Sequence, residues 1–527
     1  MPAELNIAAG LAARALSHPD RIAITEYRWG RPRRLTFGEL GDAVAATAAT
    51  LRARGVTRGD RVLLLVPMSA ALYVAMLGCL HVGATAVFVD AWADRRRLDA
   101  AVRKADPRAF IGSWKAQLLR LVSPSVRRIP VHLVATAAVQ APGSAPRIAC
   151  ARAEADDVAL ITFTTGSTGA PKAALRTHAF LWAQHRALAE HLRLREEDVD
   201  MPTLPIFVLN NLALGVTSVI PAFDPRRPAE IDPARIWRQV VAEGVTTTSG
   251  SPAFYDRLLE WGGARHERLP VRALFTGGAP VLPPLARRLQ EGITGRAEVI
   301  YGSTEAEPIS GIGTAELLEA EARAARVAGG DSTAGGVCVG TPSPSVELRL
   351  IRACDTPVTA GPDGLAALAV EAGAIGEIVV SGAHVLRGYL DDPMAERATK
   401  IPDGARVWHR TGDAGRLDAE GRLWLMGRVR ERVVRDGTTW WGLAAEVRAL
   451  RDARVRHAAY LGVADGLGGA RAVLVVESTA SWSEADRSAL VARVAPHPVD
   501  EVRVLQRIPR DPRHASKTDV EALRRLL

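Results

Sequence analysis

The run from Val62 to Asp90 constrains the fold more than any other stretch of this 527-residue chain. It is apolar enough to resemble a membrane span, but five residues break it: Pro67, Ser69, Gly78, His81 and Gly83. Short apolar runs on either side of a helical pattern are typical of a strand, a helix and a second strand. We therefore predict strands at residues 62–66 and 84–89, a helix at Ala70–His81, and no transmembrane segment.

Strand-like and helix-like segments alternate in this way from about residue 20 to about residue 420, which predicts an α/β fold with largely parallel sheets. The chain is too long for one simple core. We predict a large N-terminal domain of several sheets with helices, residues 1–427, and a small mobile C-terminal α+β domain, residues 428–527. Strand candidates in the small domain are residues 455–463 and 472–477. An Ala/Glu-rich stretch at residues 311–336 predicts a helical excursion on the surface.

The charge balance does not indicate a nucleic-acid partner. Lys and Arg total 67 against 58 Asp and Glu, a net charge of +9, but the basic residues are dispersed among acidic ones. Short clusters such as Arg95-Arg96-Arg97 are typical of solvated faces. We therefore expect no nucleic-acid binding.

Cysteine usage and the first residues indicate a cytoplasmic protein. The four cysteines are far apart and form no C-x-x-C pair, which argues against a zinc site or a disulfide framework and fits a reducing compartment. The start Met1-Pro2-Ala3-Glu4-Leu5 lacks the basic and apolar regions of a signal peptide.

The segment Thr164-Thr165-Gly166-Ser167-Thr168-Gly169-Ala170-Pro171-Lys172 has a phosphate-binding composition. Its glycines let backbone N–H groups approach anionic oxygens, its hydroxyls donate further hydrogen bonds, and Lys172 adds a charge. It is not a Walker A loop, because no Ser or Thr follows the lysine. Apolar runs at residues 158–162 and 173–177 predict a strand on each side, with a helix beginning near His178. An ordinary turn is the alternative interpretation.

Lysine is rare in this chain, which draws attention to each one. Only five of the 67 basic residues are lysines: Lys104, Lys115, Lys172, Lys400 and Lys517. A compact, flexible ammonium is retained where chemistry requires it. Lys172 and Lys517 lie in segments with such chemistry, whereas the other three fit a chance scatter.

Five motifs occur in an order that resembles the adenylate-forming superfamily, which includes acyl-CoA synthetases, firefly luciferase and peptide-synthetase adenylation domains. They are the segment Thr164–Lys172, Thr276-Gly277-Gly278-Ala279-Pro280, Tyr301-Gly302-Ser303-Thr304-Glu305, Arg410-Thr411-Gly412-Asp413 and Gly427-Arg428-Val429-Arg430. The resemblance covers nearly the whole chain.

The resemblance implies an ATP site. The residues that would contact the β- and γ-phosphates of ATP are Thr164, Thr165, Gly166, Ser167, Thr168, Gly169 and Lys172. Gly277, Gly278 and Ala279 would pack against the adenine, and Tyr301, with Gly302 and Ser303 beside it, would stack on the base. Asp413 would bind the ribose, with Arg428 close to it. The resemblance also implies catalytic roles. Thr304 would hydrogen-bond the α-phosphate, Glu305 would ligate Mg²⁺, Lys517 would reach the carboxylate and α-phosphate, and Arg430 would be the hinge of the small domain.

The departures from the family pattern bear on the small-molecule carboxylic acid. Phe207, Val208 and Leu209 would line its pocket, and Val208 stands where histidine is common. Trp440-Trp441 would either obstruct the pantetheine channel of CoA or pack between the two domains. The run from Pro202 to Pro228 and the Arg513-His514 lead to Lys517 look like the β-lactone synthetases of olefin biosynthesis.

Three functions follow. The first is a β-lactone synthetase that adenylates a 3-hydroxy fatty acid and lets the hydroxyl close on the activated carbonyl. The second is a ligase that passes the acyl group to CoA or another thiol. The third is a non-catalytic nucleotide-binding protein, against which Lys172, Glu305, Asp413 and Lys517 speak.

Overall fold

The structure is a computed structural model. It describes residues 5–89, 94–136, 149–165, 171–327, 335–361, 363–464, 470–511 and 516–527. Within these residues no helix is long and apolar enough to cross a membrane.

The strands, in chain order, are β1 Ile22–Arg28, β2 Arg31–Thr36, β3 Arg61–Leu65, β4 Thr85–Phe88, β5 Ala109–Gly112, β6 Val131–Val134, β7 Val158–Thr165, β8 Pro171–Thr177, β9 Val199–Pro202, β10 Thr217–Val219, β11 Thr247–Gly250, β12 Ala273–Gly277, β13 Arg296–Ser303, β14 Ala306–Gly313, β15 Val337–Pro342, β16 Glu347–Ile351, β17 Gly376–Ser381, β18 Lys400–Asp403, β19 Arg406–Leu417, β20 Leu423–Arg428, β21 Val433–Arg435, β22 Thr438–Trp440, β23 His457–Ala464, β24 Ala470–Glu477 and β25 Glu501–Leu505.

The helices are α1 Ile7–Ser17, α2 Phe37–Ala53, α3 Ala70–His81, α4 Arg95–Ala105, α5 Trp114–Gln117, α6 Leu119–Val122, α7 Pro124–Arg127, α8 His178–Leu192, α9 Pro205–Leu214, α10 Pro233–Ala242, α11 Pro252–Gly263, α12 Pro283–Glu291, α13 Thr314–Val327, α14 Pro393–Thr399, α15 Gly442–Ala449, α16 Glu484–Val494 and α17 Val520–Arg524. Short 3-10 turns occur at Pro228–Glu230, Leu365–Leu368 and Val429–Glu431.

The predicted α/β fold is confirmed, and the strand–helix–strand unit at its start is present as β3, α3 and β4. β3 and β4 pair in parallel in a six-stranded sheet of order β6-β5-β3-β4-β7-β8. Helix α3 is buried on nearly every side, which explains why its sequence is apolar throughout.

The prediction of largely parallel sheets is wrong for part of the chain. The 14-stranded sheet has the order β16-β17-β19-β20-β15-β14-β13-β12-β11-β9-β10-β1-β2, and β18 pairs with β19. Neighbouring strands are parallel along the part β13-β12-β11-β9-β10-β1. They are antiparallel along the part β16-β17-β19-β20-β15-β14. Antiparallel strands need no crossover helix, whereas each parallel pair does.

The predicted surface excursion at residues 311–336 is wrong for its helix, and residues 328–334 lie outside the described residues. Its helix, α13, forms as expected, but Leu317 and Ala320 are buried in the core that contains Leu289 and Trp424. The helix is rich in Ala and Glu, but it also carries a narrow apolar stripe, and such a stripe is sufficient to bury one face of a helix.

The chain after residue 432 forms its own sheets, the hairpin β21–β22 and the three-stranded sheet β23-β24-β25. The two adjacent tryptophans have different surroundings. The ring of Trp440 lies 5.3 Å from that of His497, within this part of the chain. Trp441 packs against Ala414 and Met426 of the large sheet, so it lies between the two parts of the chain.

Candidate active site

The predicted strands on either side of the glycine-rich segment form one antiparallel hairpin, β7–β8. Thr164 pairs with Lys172 and Thr165 with Pro171 at its tip. The predicted phosphate-binding residues Gly166, Ser167, Thr168 and Gly169 lie outside the described residues. The hairpin therefore places Lys172 at the point where the segment rejoins the sheet.

Lys172 faces an aromatic ring that the sequence analysis did not select. Its Nζ lies 5.7 Å from the centre of the Tyr389 ring, a distance suited to a cation–π contact. Burial lowers the pKa of the Lys172 ammonium, while the negative charges of Glu305 and Asp392 oppose that shift. Lys172 and Glu305, 133 positions apart in the sequence, are therefore close in space.

Glu305 is held by hydrogen bonds from two sides. The Tyr389 hydroxyl donates to Glu305 Oε1 at 3.2 Å, and the Glu305 amide donates to Ser303 Oγ at 3.2 Å. Burial alone would raise the pKa of Glu305, but its interactions with His409 and Lys400 hold the pKa below its usual value. Glu305 is therefore an ionised carboxylate at neutral pH.

Lys400, which fitted a chance scatter in the sequence, is a buried cation of this site. It is 5% exposed, and its Nζ donates to the Leu386 carbonyl and lies 3.2 Å from His409 Nδ1 and 5.4 Å from the Tyr389 ring centre. Burial lowers the pKa of His409 to about 3 and that of Lys400 to about 7. Lys400 and His409 lie side by side, and the interactions of both with Glu305 lower the pKa of that carboxylate.

Residues 385–390 join the hairpin to the strand that begins after Glu305, and we call them the bridging segment. On one side, Leu386 N donates to the Glu305 carbonyl at 2.7 Å and Val385 pairs with Ala306. On the other side, Leu390 N donates to the Ala173 carbonyl at 2.9 Å. Both sheets of the site therefore contact one short segment, with Tyr389 in it.

The predicted adenine and ribose residues form a second group. Tyr301 donates to Asp413 Oδ2 at 2.8 Å, and Arg428 Nη1 lies 3.1 Å from Asp413 Oδ1. Gly277 is required by packing, because a Cβ there would lie 2.5 Å from the Ile300 carbonyl oxygen. Gly278 has φ +85°, a backbone conformation that favours glycine. Ala279 follows these two glycines in the same turn.

A family model described as AMP-binding enzyme matches residues 11–390 of the sequence. The chain belongs to the AMP-binding enzyme family. It is an adenylate-forming enzyme, and the resemblance drawn from the five motifs is confirmed.

Relatives within this family differ in their reactions. The chain is 36% identical over 455 residues to an olefin beta-lactone synthetase of Stenotrophomonas maltophilia, covering 81% of this chain and 80% of the relative. It is 30% identical over 441 residues to a feruloyl-CoA synthase of Amycolatopsis sp, covering 82% and 81%. The fold resembles that of O-succinylbenzoate coenzyme A synthetase from Bacillus subtilis, solved with ATP and magnesium ion, with a TM-score of 0.77, 21% identity and 98% of both chains covered.

Thr304 lies next to Glu305 in the candidate site. Arg176 Nη2 donates to the Thr304 carbonyl oxygen at 3.0 Å. The two residues before it, Gly302 and Ser303, belong to the end of β13, directly after Tyr301. A strand and a buried arginine thus hold the backbone around Thr304.

The predicted hinge residue, Arg430, lies within electrostatic range of Lys172. Arg430 is part of the 3-10 turn Val429–Glu431, and its charge contributes to the lowered pKa of Lys172. The Lys517 amide donates to Asp511 Oδ1 at 3.3 Å. Burial raises the pKa of Glu431, and the charges of Arg428, Arg524 and Lys517, in decreasing order, oppose the shift. Lys517 therefore lies within electrostatic range of Glu431, which follows the predicted hinge residue in the sequence.

The residues predicted to line the acid pocket are all buried on helix α9. Phe207 packs with Phe275 and Ile300, which lie in the sequence just before the predicted adenine residues and Tyr301, respectively. Val208 belongs instead to the core around α3. Leu209 lines a small cavity of about 20 Å³ between α8 and α9, whose other walls include Trp182, Gln184, His185 and Asn210.

Proposed function

We propose that this enzyme activates a 3-hydroxy fatty acid with ATP and closes the product to a β-lactone. The proposal rests on one observation above all, the 36% identity over 81% of the chain with an olefin beta-lactone synthetase. The group formed by Lys172, Tyr389, Glu305 and Lys400 supports the ATP-dependent half of the reaction.

In the first half-reaction an oxygen of the substrate carboxylate attacks the α-phosphorus of ATP, and pyrophosphate leaves. We assign Lys172 to the leaving phosphates and Lys517 to the developing charge at the α-phosphorus. Thr304 would donate its hydroxyl to an α-phosphate oxygen. Asp413, already held by Tyr301 and Arg428, would accept the ribose hydroxyls.

Glu305 fits the magnesium site that this reaction implies. Burial raises the pKa of its carboxyl, but the interactions with His409 and Lys400 outweigh burial and keep that pKa below the usual value, so the group is ionised at neutral pH. A single carboxylate with phosphate and water oxygens is the ligand set that Mg²⁺ prefers. The ion would neutralise charge on the phosphate oxygens when bound.

In the second half-reaction the substrate's own 3-hydroxyl oxygen attacks the acyl carbonyl carbon. The bond to AMP breaks, AMP leaves with the electron pair, and the hydroxyl proton goes to solvent. A hydroxyl held on the same molecule has a high effective concentration, which favours ring closure over an external acceptor. We assign Arg430 as the hinge between the half-reactions, with residues 428–527 as the moving domain.

The test is an incubation with ATP, Mg²⁺ and a panel of plain and 3-hydroxy acids, with and without CoA, followed by mass analysis of the products. The proposal expects AMP and a product lighter than the hydroxy acid by one water, formed without CoA. A CoA-dependent thioester from plain acids would instead support an acyl-CoA ligase, which the 30% identity with a feruloyl-CoA synthase favours as the alternative.

The variant Lys517→Ala tests the role of the C-terminal lysine. We expect it to lose acyl-AMP formation by about a hundredfold or more while still binding ATP, because only charge stabilisation in the transition state is removed. Pyrophosphate exchange and ATP binding by calorimetry measure the two effects separately. Unchanged exchange would remove Lys517 from the mechanism.

A further inference from the structure

Exposed apolar side chains are concentrated in residues 113–134. Of the eleven large apolar side chains that are exposed in the described part of the chain, five lie here: Trp114, Leu118, Leu121, Val122 and Val134. The most exposed of them is Leu121, at 78%. Monomeric proteins rarely expose several such side chains together without a function.

Four of the five share one face of the short helices α5 and α6. Leu118, which connects the helices, has helical backbone angles, so residues 114, 118, 121 and 122 follow helical spacing. Gln117 Nε2 donates to the Leu133 carbonyl at 2.7 Å, which brings the end of the edge strand β6, with Val134, beside α5. We call these five side chains the α5–α6 face.

The segment that carries the α5–α6 face has a net positive charge. Residues 113–134 contain four basic residues and no acidic one, namely Lys115, Arg120, Arg127 and Arg128. Lys115 Nζ lies 5.5 Å from the Trp114 ring centre. Asp99 of α4, an acidic side chain close to this segment, accepts a hydrogen bond from Ser123 at 2.5 Å.

We propose that the α5–α6 face docks on the anionic surface of a lipid bilayer. A tryptophan and leucines among basic side chains suit the boundary between acyl chains and negative headgroups. A second copy of this chain fits less well, because it would bring two sets of basic residues together. This proposal concerns binding of the enzyme to a lipid surface, and it holds whichever acid the enzyme activates.

The experiment measures partition of the full chain onto phosphatidylcholine vesicles and onto vesicles that also contain phosphatidylglycerol. We expect binding to the anionic vesicles that weakens as salt rises, because salt screens the charges. The double variant Leu118→Ser/Leu121→Ser should reduce the partition coefficient at least about tenfold. The variant Arg127→Gln/Arg128→Gln should reduce binding to anionic vesicles by about tenfold.

The matched control is Leu16→Ser/Leu526→Ser, which removes two leucines that are also exposed but lie elsewhere. It should bind vesicles like the wild type, and pyrophosphate exchange with a short soluble acid checks that every variant is folded. A wild type that stays unbound, or equal binding by the face variant and the control, would overturn the proposal. Self-association that is lost only in the face variant would identify the face as a contact between copies.

Discussion

Tyr389 donates a hydrogen bond of 3.2 Å to Oε1 of Glu305, while its ring lies within cation–π distance of Lys172 and Lys400. Tyr389→Phe keeps the ring and removes only the hydroxyl. A hydrogen bond to a charged group is worth about 1.5–3 kcal/mol, so kcat/KM for ATP in pyrophosphate exchange should fall by about ten- to a hundredfold. The Mg²⁺ concentration for half-maximal rate should rise as well.

The matched control for this prediction is Tyr255→Phe. The Tyr255 hydroxyl is also buried and lies 2.9 Å from Thr248 Oγ1, but it belongs to the core around α11. This variant should lower stability without changing the Mg²⁺ dependence. The same Mg²⁺ response in both variants would show that Tyr389 acts only through stability.

Lys400→Met should shift the pH dependence of the reaction. Burial raises the pKa of Glu305, and Lys400 supplies charge that opposes this. Without the ammonium the pKa of Glu305 rises, so the acid limb of the rate profile should move to higher pH. Pyrophosphate exchange measured across pH, with Lys115→Met as the exposed control, tests this. An acid limb at the same pH in both variants would contradict it.

Gly277→Ala should destabilise the chain and weaken ATP binding together. The new Cβ would lie 2.5 Å from the Ile300 carbonyl oxygen, which is backbone and can move only with β13. We expect a loss of about 1–3 kcal/mol, seen as a lower thermal unfolding midpoint. Gly263→Ala, at the end of α11 with nothing within 4 Å of its Cβ, should leave the midpoint unchanged or slightly raised. Equal midpoints for the two variants would be inconsistent with this packing.

Glu446 should make the folded chain less stable as pH rises from about 4.5 to 8. Burial raises its pKa to about 8, so across this range the folded chain keeps a proton that the unfolded chain releases. Glu446→Gln keeps an oxygen for the Tyr460 amide, which donates to Glu446 Oε1 at 3.1 Å. The variant should unfold at a higher temperature than the wild type at pH 8 and at a similar temperature near pH 4.5. A constant difference between these two pH values would argue against this role.

Local pattern was sufficient for elements whose surroundings match their sequence. Helix Ala70–His81 was predicted to the residue, and the predicted strands 62–66 and 84–89 end within one residue of β3 and β4. The antiparallel half of the large sheet was missed, because single strands carry no information about the direction of their partner. Helix α13 was placed on the surface because Leu317 and Ala320 are outnumbered by exposed polar residues.

Local motifs predict some residues of the candidate site, whereas other residues reach it only through the fold and have no motif. Lys172, Glu305 and Asp413 came from local motifs. Lys400 has no motif, and its place beside Tyr389 depends on how α14 meets β18. Its rarity among 62 arginines was a usable signal, since a buried ammonium needs less room than a guanidinium.

The position of Tyr389 beside Glu305 depends on the register of the bridging segment against the two sheets. Successive side chains of an extended segment point to opposite sides, so a slip of one residue would put Gly388 or Leu390 where Tyr389 now meets Glu305. The sequence would be unchanged, but Glu305 would lose the hydrogen bond from Tyr389, and Lys172 and Lys400 would lose their contact with its ring. The arrangement of the candidate site therefore depends on the backbone register of the bridging segment against the two sheets, and on the neighbouring residues that hold this register.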